Sequence, residues 1–398
     1  MNKWVSFLAM FVCLSAAAFC DSPLLQSYKQ NFSKADISVK AEILKDAASE
    51  RTAPEFIAQL YEYALQFALD NSELLKDDPD MINLVDIAVK GIRNAGISAA
   101  SADGSECLDT IWRLFVEYPD SAIGAEILVT MGKLGKGNET VIANINNFLS
   151  QQTDVFGSGM SVNYAMVSAC IDAILELKDS SSYQVLFGVL CAGYPEVITY
   201  EASGALDLIP GNFKQFLFDI IEKNPPEEKY IAFKTGSGSR RLNVSERGQL
   251  AELALEQGLI SNGGDDADLT AMRYAAVLAL TSLRWTRANA LAIRHYYRVQ
   301  TDYQHNTASK ERFIEAIACL GAVGNSDAAL ALILQLGLIN ARTARTGSYD
   351  PEITQAIVQA LGRIGDKAAF DQLLDVRNLS YPENIQTSAK EAIDRLRW

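Results

Sequence analysis

Only two histidines occur in the 398 residues, His295 and His305. They lie ten positions apart, which is not the i, i+4 spacing that sets two ligands on one helical face. No H-E-x-x-H, no G-x-S-x-G and no phosphate loop ending in G-K-[ST] is present. The chain therefore lacks the residues of the common metalloprotease, hydrolase and nucleotide-binding sites. We expect no catalytic residue, no metal ligand and no cofactor. Positive charge is also short. Lys and Arg number 35 against 49 Asp and Glu, a formal net charge of −14, which disfavours non-specific attraction to nucleic acid or to an anionic membrane. The six cysteines include no C-x-x-C pair, and their spacing matches no zinc site. They read as small buried residues on packed helices, although Cys170 and Cys191 could also face each other across a helical hairpin. Alternating β-branched runs bounded by Asn-Gly turns are scarce.

What is present is the composition of a folded chain, with 49% hydrophobic and 21% charged residues. The length admits two or three domains or one elongated repeat domain. "MNKWVSFLAMFVCLSAAAFCDSP" reads as an export signal. Lys3 precedes an apolar stretch from Trp4 to Leu14, and Ala16-Ala17-Ala18 offers a cleavage site before Phe19. Residues 1–18 are then a signal peptide. Two alternatives stay open. One is a lipoprotein cut after residue 19 and acylated at Cys20, for which Phe19 is a departure from the small residue expected there. The other is an uncleaved anchor. Beyond this segment no 18-residue uninterrupted apolar run occurs, so no later crossing of a membrane is expected.

The most informative feature is a near echo. "CLGAVGNSDAALALIL" (319–334) recurs 41 residues later as "ALGRIGDKAAFDQLL" (360–374). Its pattern is a small or apolar residue, a large aliphatic, two free positions, an aliphatic and a turn. It returns in "TMGKLGK" (130–136), "AILELKD" (173–179), "ALDLIPG" (205–211) and "ALTSLRW" (279–285), and more loosely in "GIRNAG" (91–96). The large aliphatic falls at 92, 131, 174, 206, 280, 320 and 361, in steps of 39, 43, 32, 74, 40 and 41. The step of 74 predicts a hidden unit, with "SERGQLAELALEQG" (245–258) as its candidate. A period near 40 with recurring aliphatics and no fixed chemistry marks a solenoid of paired helices. Proline agrees. Seven of the ten prolines are followed directly by an acid, at 54, 79, 119, 195, 226, 351 and 382. Proline tolerates the first helical turn, where an acid also complements the dipole, so these are predicted helix starts.

"ALGRIGD", and nearly so "CLGAVGN", resembles the hairpin turn of HEAT repeats, especially their short bacterial variety. "AILELKD" and "ALTSLRW" keep the aliphatics and lose the glycines. The resemblance implies an all-α, right-handed α-solenoid of antiparallel helix pairs over residues 38–398, after an N-terminal extension at 19–37. Such solenoids usually bind proteins, and the resemblance carries over no catalytic residue. Gly324 and Gly365 are expected to end helices at positive φ, and Gly321 and Gly362 to allow close helix packing. Residues 222–268 depart from the pattern, with a Pro pair, a Gly/Ser stretch and "SNGGDDAD". They are expected to be an elaborated repeat with two long loops. The acids of "GGDDAD" lack the spacing of a calcium loop and read as a solvated loop with an N-cap.

Charge placement is the feature least explained by scaffold duty. Within 229–312, basic residues interleave with aromatics. A contact patch is expected at Arg240, Arg241, Trp285, Arg294, Tyr296, Tyr297, Arg298 and Tyr303. The competing reading pairs these arginines with acids elsewhere on the chain. The functional expectation is an exported, non-enzymatic scaffold in the periplasm or cell envelope, binding a protein or peptide partner for which acidic character fits. No nucleic acid is expected, and membrane contact only through a lipid at Cys20. The alternatives are a small-ligand enzyme resembling bilin-lyase HEAT proteins, and a structural envelope lipoprotein.

Overall fold

The computed structural model describes residues 23–49, 54–96, 105–118, 121–260 and 266–398. The signal segment and Cys20 lie outside them. Among the described residues the chain is all-α, an α-solenoid of antiparallel helix pairs with no strand beyond one isolated bridge, Asp366 to Arg397. It divides into two compact units between Gly211 and Asn212.

The first unit contains α1 (Pro23–Lys34), α2 (Ile37–Ser49), α3 (Pro54–Asp70), α4 (Ser72–Leu75), α5 (Pro79–Ala95), α6 (Ser105–Glu117), α7 (Ser121–Leu134), α8 (Glu139–Gly157), α9 (Tyr164–Leu177), α10 (Tyr183–Cys191) and α11 (Glu196–Leu208). Helices α3, α5, α7, α9 and α11 pack side by side as an inner layer, while α6, α8 and α10 each pair with the inner helix that follows. The segment expected as an extension is in part the helix α1, seated on α2 and α3 with Leu25 and Phe32 buried. Buried Lys40 fixes its end by donating to the Phe32 and Ala35 carbonyls while lying over the Phe32 and Phe67 rings.

The second unit repeats the plan with α12 (Phe213–Lys223), α13 (Pro226–Gly238), α14 (Val244–Ile260), α15 (Ala267–Leu283), α16 (Asn289–Gln304), α17 (Lys310–Val323), α18 (Ser326–Thr346), α19 (Pro351–Ile364), α20 (Phe370–Asn378) and α21 (Glu383–Asp394). The odd-numbered helices form the inner layer and the even-numbered ones the outer, each outer helix pairing with its successor.

The repeated aliphatic is the reason for the layering. Ile92, Met131, Ile174, Leu206, Leu280, Leu320 and Leu361 all lie on inner helices and all are 0% exposed. Each such side chain contributes about 1.5–3 kcal/mol by leaving water. The hidden unit is real, but its inner helix is α13, where buried Phe233 takes the aliphatic's place. "SERGQLAELALEQG" belongs instead to the outer helix α14. This also corrects the first of the two expected long loops. Pro226 starts a helix that runs through Gly236 and Gly238, because Gly236 lets α13 approach Leu217 and Leu250. The core of the second loop, 261–265, lies outside the described residues, and Asp266 just after it caps α15 by accepting from the Asp268 and Leu269 amides.

Proline marks helix starts as expected. Pro54, Pro79, Pro226 and Pro351 are first residues of their helices, and Pro195 and Pro382 stand at N-caps. Pro119 lies outside the described residues. The glycines divide by role. A Cβ on Gly132 would lie 2.7 Å from the Cα of Ala173, one on Gly321 2.8 Å from that of Ala360, and one on Gly362 3.0 Å from that of Ala392. These glycines form the close seams between successive inner helices. Gly365 ends α19 at φ 71°, as expected. Gly324 does not share that conformation, since its backbone is extended at φ −75°. It is glycine because a Cβ would come within 2.3 Å of the Leu320 carbonyl oxygen and 2.6 Å of Ala328. Where glycine is missing the left-handed cap persists, on Lys178 (φ 55°) and Arg284 (φ 50°). Cys170 and Cys191 are not bridged to each other.

Candidate binding surfaces

The expected basic and aromatic patch is only partly a surface. On α16, Ala292, His295, Tyr296 and Val299 form the buried face, while Arg294 and Tyr297 point to solvent. Tyr296 is fully buried and stacks on Phe313 at 5.7 Å, so as a contact residue it is corrected to core. Tyr303 also stacks on Phe313, at 5.2 Å. Trp285 lies flat over Gly248, donates from Nε1 to Glu252 at 2.8 Å, and so latches the α15 turn to α14. Arg287 donates to the same carboxylate. Arg241 is half-buried over the Phe213 ring, and Arg298 lies 4.0 Å from Asp302. Arg240, Arg294 and Tyr297 remain exposed. Much of the basic run elsewhere has acidic company, as in Lys310 with Asp350 and Glu352 and Arg312 with Glu315.

His295 lies in the core. It is 0% exposed, meets Tyr274 edge-on at 5.6 Å, and neither ring nitrogen has a hydrogen-bond partner among the described residues. Burial, and then the charges of Arg273, Arg298 and Arg312, push its pKa down to about 3. Three guanidinium groups repel a metal cation, and a base this weak takes no proton near neutrality. The fold therefore holds a neutral imidazole. Stability linked to it is complete above the ordinary value of 6.5 and falls as pH drops towards 3. His305 is exposed beside the Thr301 carbonyl at the end of α16.

Three other surfaces emerge from the packing. In the first unit, a cleft of about 610 Å³ combines Trp112, Phe115 and Phe148 with the amides of Asn144, Asn147 and Gln151. In the second unit, Leu330, Leu334 and Leu338 run along α18 at one-turn intervals and are 51%, 66% and 69% exposed. The opposite face of α18 is anchored: Asn340 donates to the Gln372 carbonyl, and the Tyr381 hydroxyl joins Asn340 and Thr343. The leucine face is thereby held outward. Finally, a groove of about 620 Å³ crosses the C-terminal ends of α15, α17, α19 and α21. Gly321, Gly362 and Gly365 line it together with Arg284, Arg363, Arg395 and Arg397.

Sequence reasoning missed the leucine face and the groove. The first was visible in "AALALILQLGLI", which is apolar on more sides than one buried face requires. The second needs four arginines separated by up to 113 positions to be placed on one layer.

No family model matches the chain, and no curated protein matches it. Solved structures similar to it include an engineered protein at 16% identity, covering 93% of this chain and 98% of that one, with a TM-score of 0.34. Human deoxyhypusine hydroxylase in complex with glycerol is similar at 15% identity over 84% of this chain and 96% of that one, with a TM-score of 0.27. SYS-1 is similar at 12% identity over 96% and 76%, with a TM-score of 0.30. At such scores these likenesses carry no argument, and the fold stands on the packing described above.

Proposed function

We propose that the chain is an exported, non-enzymatic scaffold of the HEAT type that binds a protein or peptide partner across its stacked helices. The observation that carries this reading is the leucine face of α18. Single exposed leucines are ordinary, but three in register on one anchored helix form an apolar stripe of the kind that marks protein contact. The line continues to exposed Arg342, a residue type enriched at interfaces. "ALGRIGD" supports the HEAT type. Lys3, the apolar stretch to Leu14 and the alanines at 16–18 support export to the periplasm or envelope, and mass spectrometry of the mature N-terminus distinguishes a free Phe19 from an acylated Cys20.

The direct test is affinity capture from envelope extract with the wild-type chain and a Leu334→Asp/Leu338→Asp variant. Both positions are solvent-facing, so the variant melts as the wild type does. We expect it to lose the captured partner. Identical capture by the two proteins would sink the reading.

A further inference from the structure

We infer that the arginine-lined groove of the second unit holds an acidic peptide segment, whose carboxylates sit on Arg284, Arg363, Arg395 and Arg397. This rests on the protein-binding reading above and names the chemistry of the partner at a second face.

The first support is charge. In a chain with 35 basic against 49 acidic residues, four arginines line one groove. Among the described residues no carboxylate is paired with Arg284, Arg363 or Arg397. Arg395 lies 3.5 Å from Glu391, but both are 59% exposed, so that pair is weak and readily exchanged.

The second support is strain. Arg284 stands at the left-handed cap of α15, with φ 50° and ψ 48°, where the matching turn of α19 uses Gly365. Cations near helix C-termini are favoured by the dipole, which accounts for Arg363 and Arg395. It does not account for Arg284, because an arginine within the last turn would serve the dipole without a left-handed backbone. Lys178 shares the conformation; the three companion arginines around one groove set Arg284 apart. Strain retained at a convergent cluster of like charge points to use of that cluster.

Shape then selects the ligand. The groove crosses four successive inner helices, and with interaxial distances of about 8–10 Å it extends roughly 24–30 Å. A lone carboxylate or phosphate reaches one step of that distance. An extended peptide rising about 3.3 Å per residue covers it with about eight residues. Guanidinium groups pair bidentately with carboxylates. A nucleic-acid strand has the length too, but its unbroken phosphate charge meets the repulsion of a chain at −14.

The experiment is fluorescence anisotropy of a labelled octapeptide of alternating Glu and Ser, titrated with the full chain. The variants are Arg284→Gly, which removes the charge and relaxes the backbone, and Arg363→Gln. We expect the double variant to bind about tenfold more weakly or worse while melting no lower than wild type, and the control Arg377→Gln, an exposed arginine on α20 outside the groove, to bind as wild type. Equal binding by wild type and the double variant, or no binding by either, overturns the assignment. So does an oligothymidylate of eight nucleotides binding at least as tightly as the peptide. Such a failure beside intact leucine-face results removes the acidic segment alone. Loss of the leucine-face result leaves this measurement readable on its own.

Discussion

At the end of α19 the chain turns left-handed at Gly365, φ 71° and ψ 25°; at the end of α15 it makes nearly the same turn at Arg284, φ 50° and ψ 48°. Three residues before each cap stands the seam position. It is Gly362 in α19, pressed against Ala392, and Thr281 in α15, whose hydroxyl bonds back to the Val277 carbonyl. One turn is built from residues that minimise strain and the other is not, yet both hold an equally buried leucine, Leu361 and Leu280. The repeat is therefore specified by the aliphatic layer, and the turn chemistry is free to be used for other ends.

The strongest way to break the comparison is to remove what the turns share. Leu280→Ala and Leu361→Ala are each expected to destabilise by about 2–5 kcal/mol, with similar values, in denaturant unfolding. A large difference between them would show that the two turns do not depend on one layer. Next comes the seam. Gly362→Thr places a Cβ 2.9 Å from that of Ala392 and is expected to destabilise by about 1–3 kcal/mol, while Thr281→Ser stays close to wild type. The smallest effect separates the caps. Gly365→Ala should lose about 1–2 kcal/mol, because the residue is left-handed and the Arg395 carbonyl lies 3.0 Å from the new methyl. Arg284→Gly should gain about 0.5–1 kcal/mol. A loss at Arg284→Gly would mean that the arginine side chain stabilises the turn, and the strain argument would fail.

The layer itself was legible in the sequence, since seven positions read from one motif are all fully buried. Helix starts were equally legible, because proline followed by an acid has one favourable place in a helix. Gly324 misled because a glycine after a helix reads as a left-handed cap, whereas here it is required by proximity to Leu320 and Ala328. Residues 222–247 misled because Gly and Ser were counted as loop formers, although Gly236 serves packing inside a helix. Within the contact patch Tyr296 misled, because composition alone assigns no faces. The spacing Ala292, Tyr296, Val299 already placed Tyr296 on the side turned inward. The arginine groove was illegible for a different reason. Its arginines come from the ends of three inner helices, α15, α19 and α21, and only stacking makes them neighbours.

The stacking of each inner helix on the next has a kinetic consequence. The far-reaching side-chain bonds remain modest in sequence span: Tyr381 to Asn340 crosses 41 residues and Tyr118 to Ala68 crosses 50. Ordering one helix pair closes only short loops and creates the template for its neighbour, so folding can begin within any pair and spread. Unfolding should retrace this as a front, with amide exchange fastest in the outermost pairs of a unit and slowest in its middle.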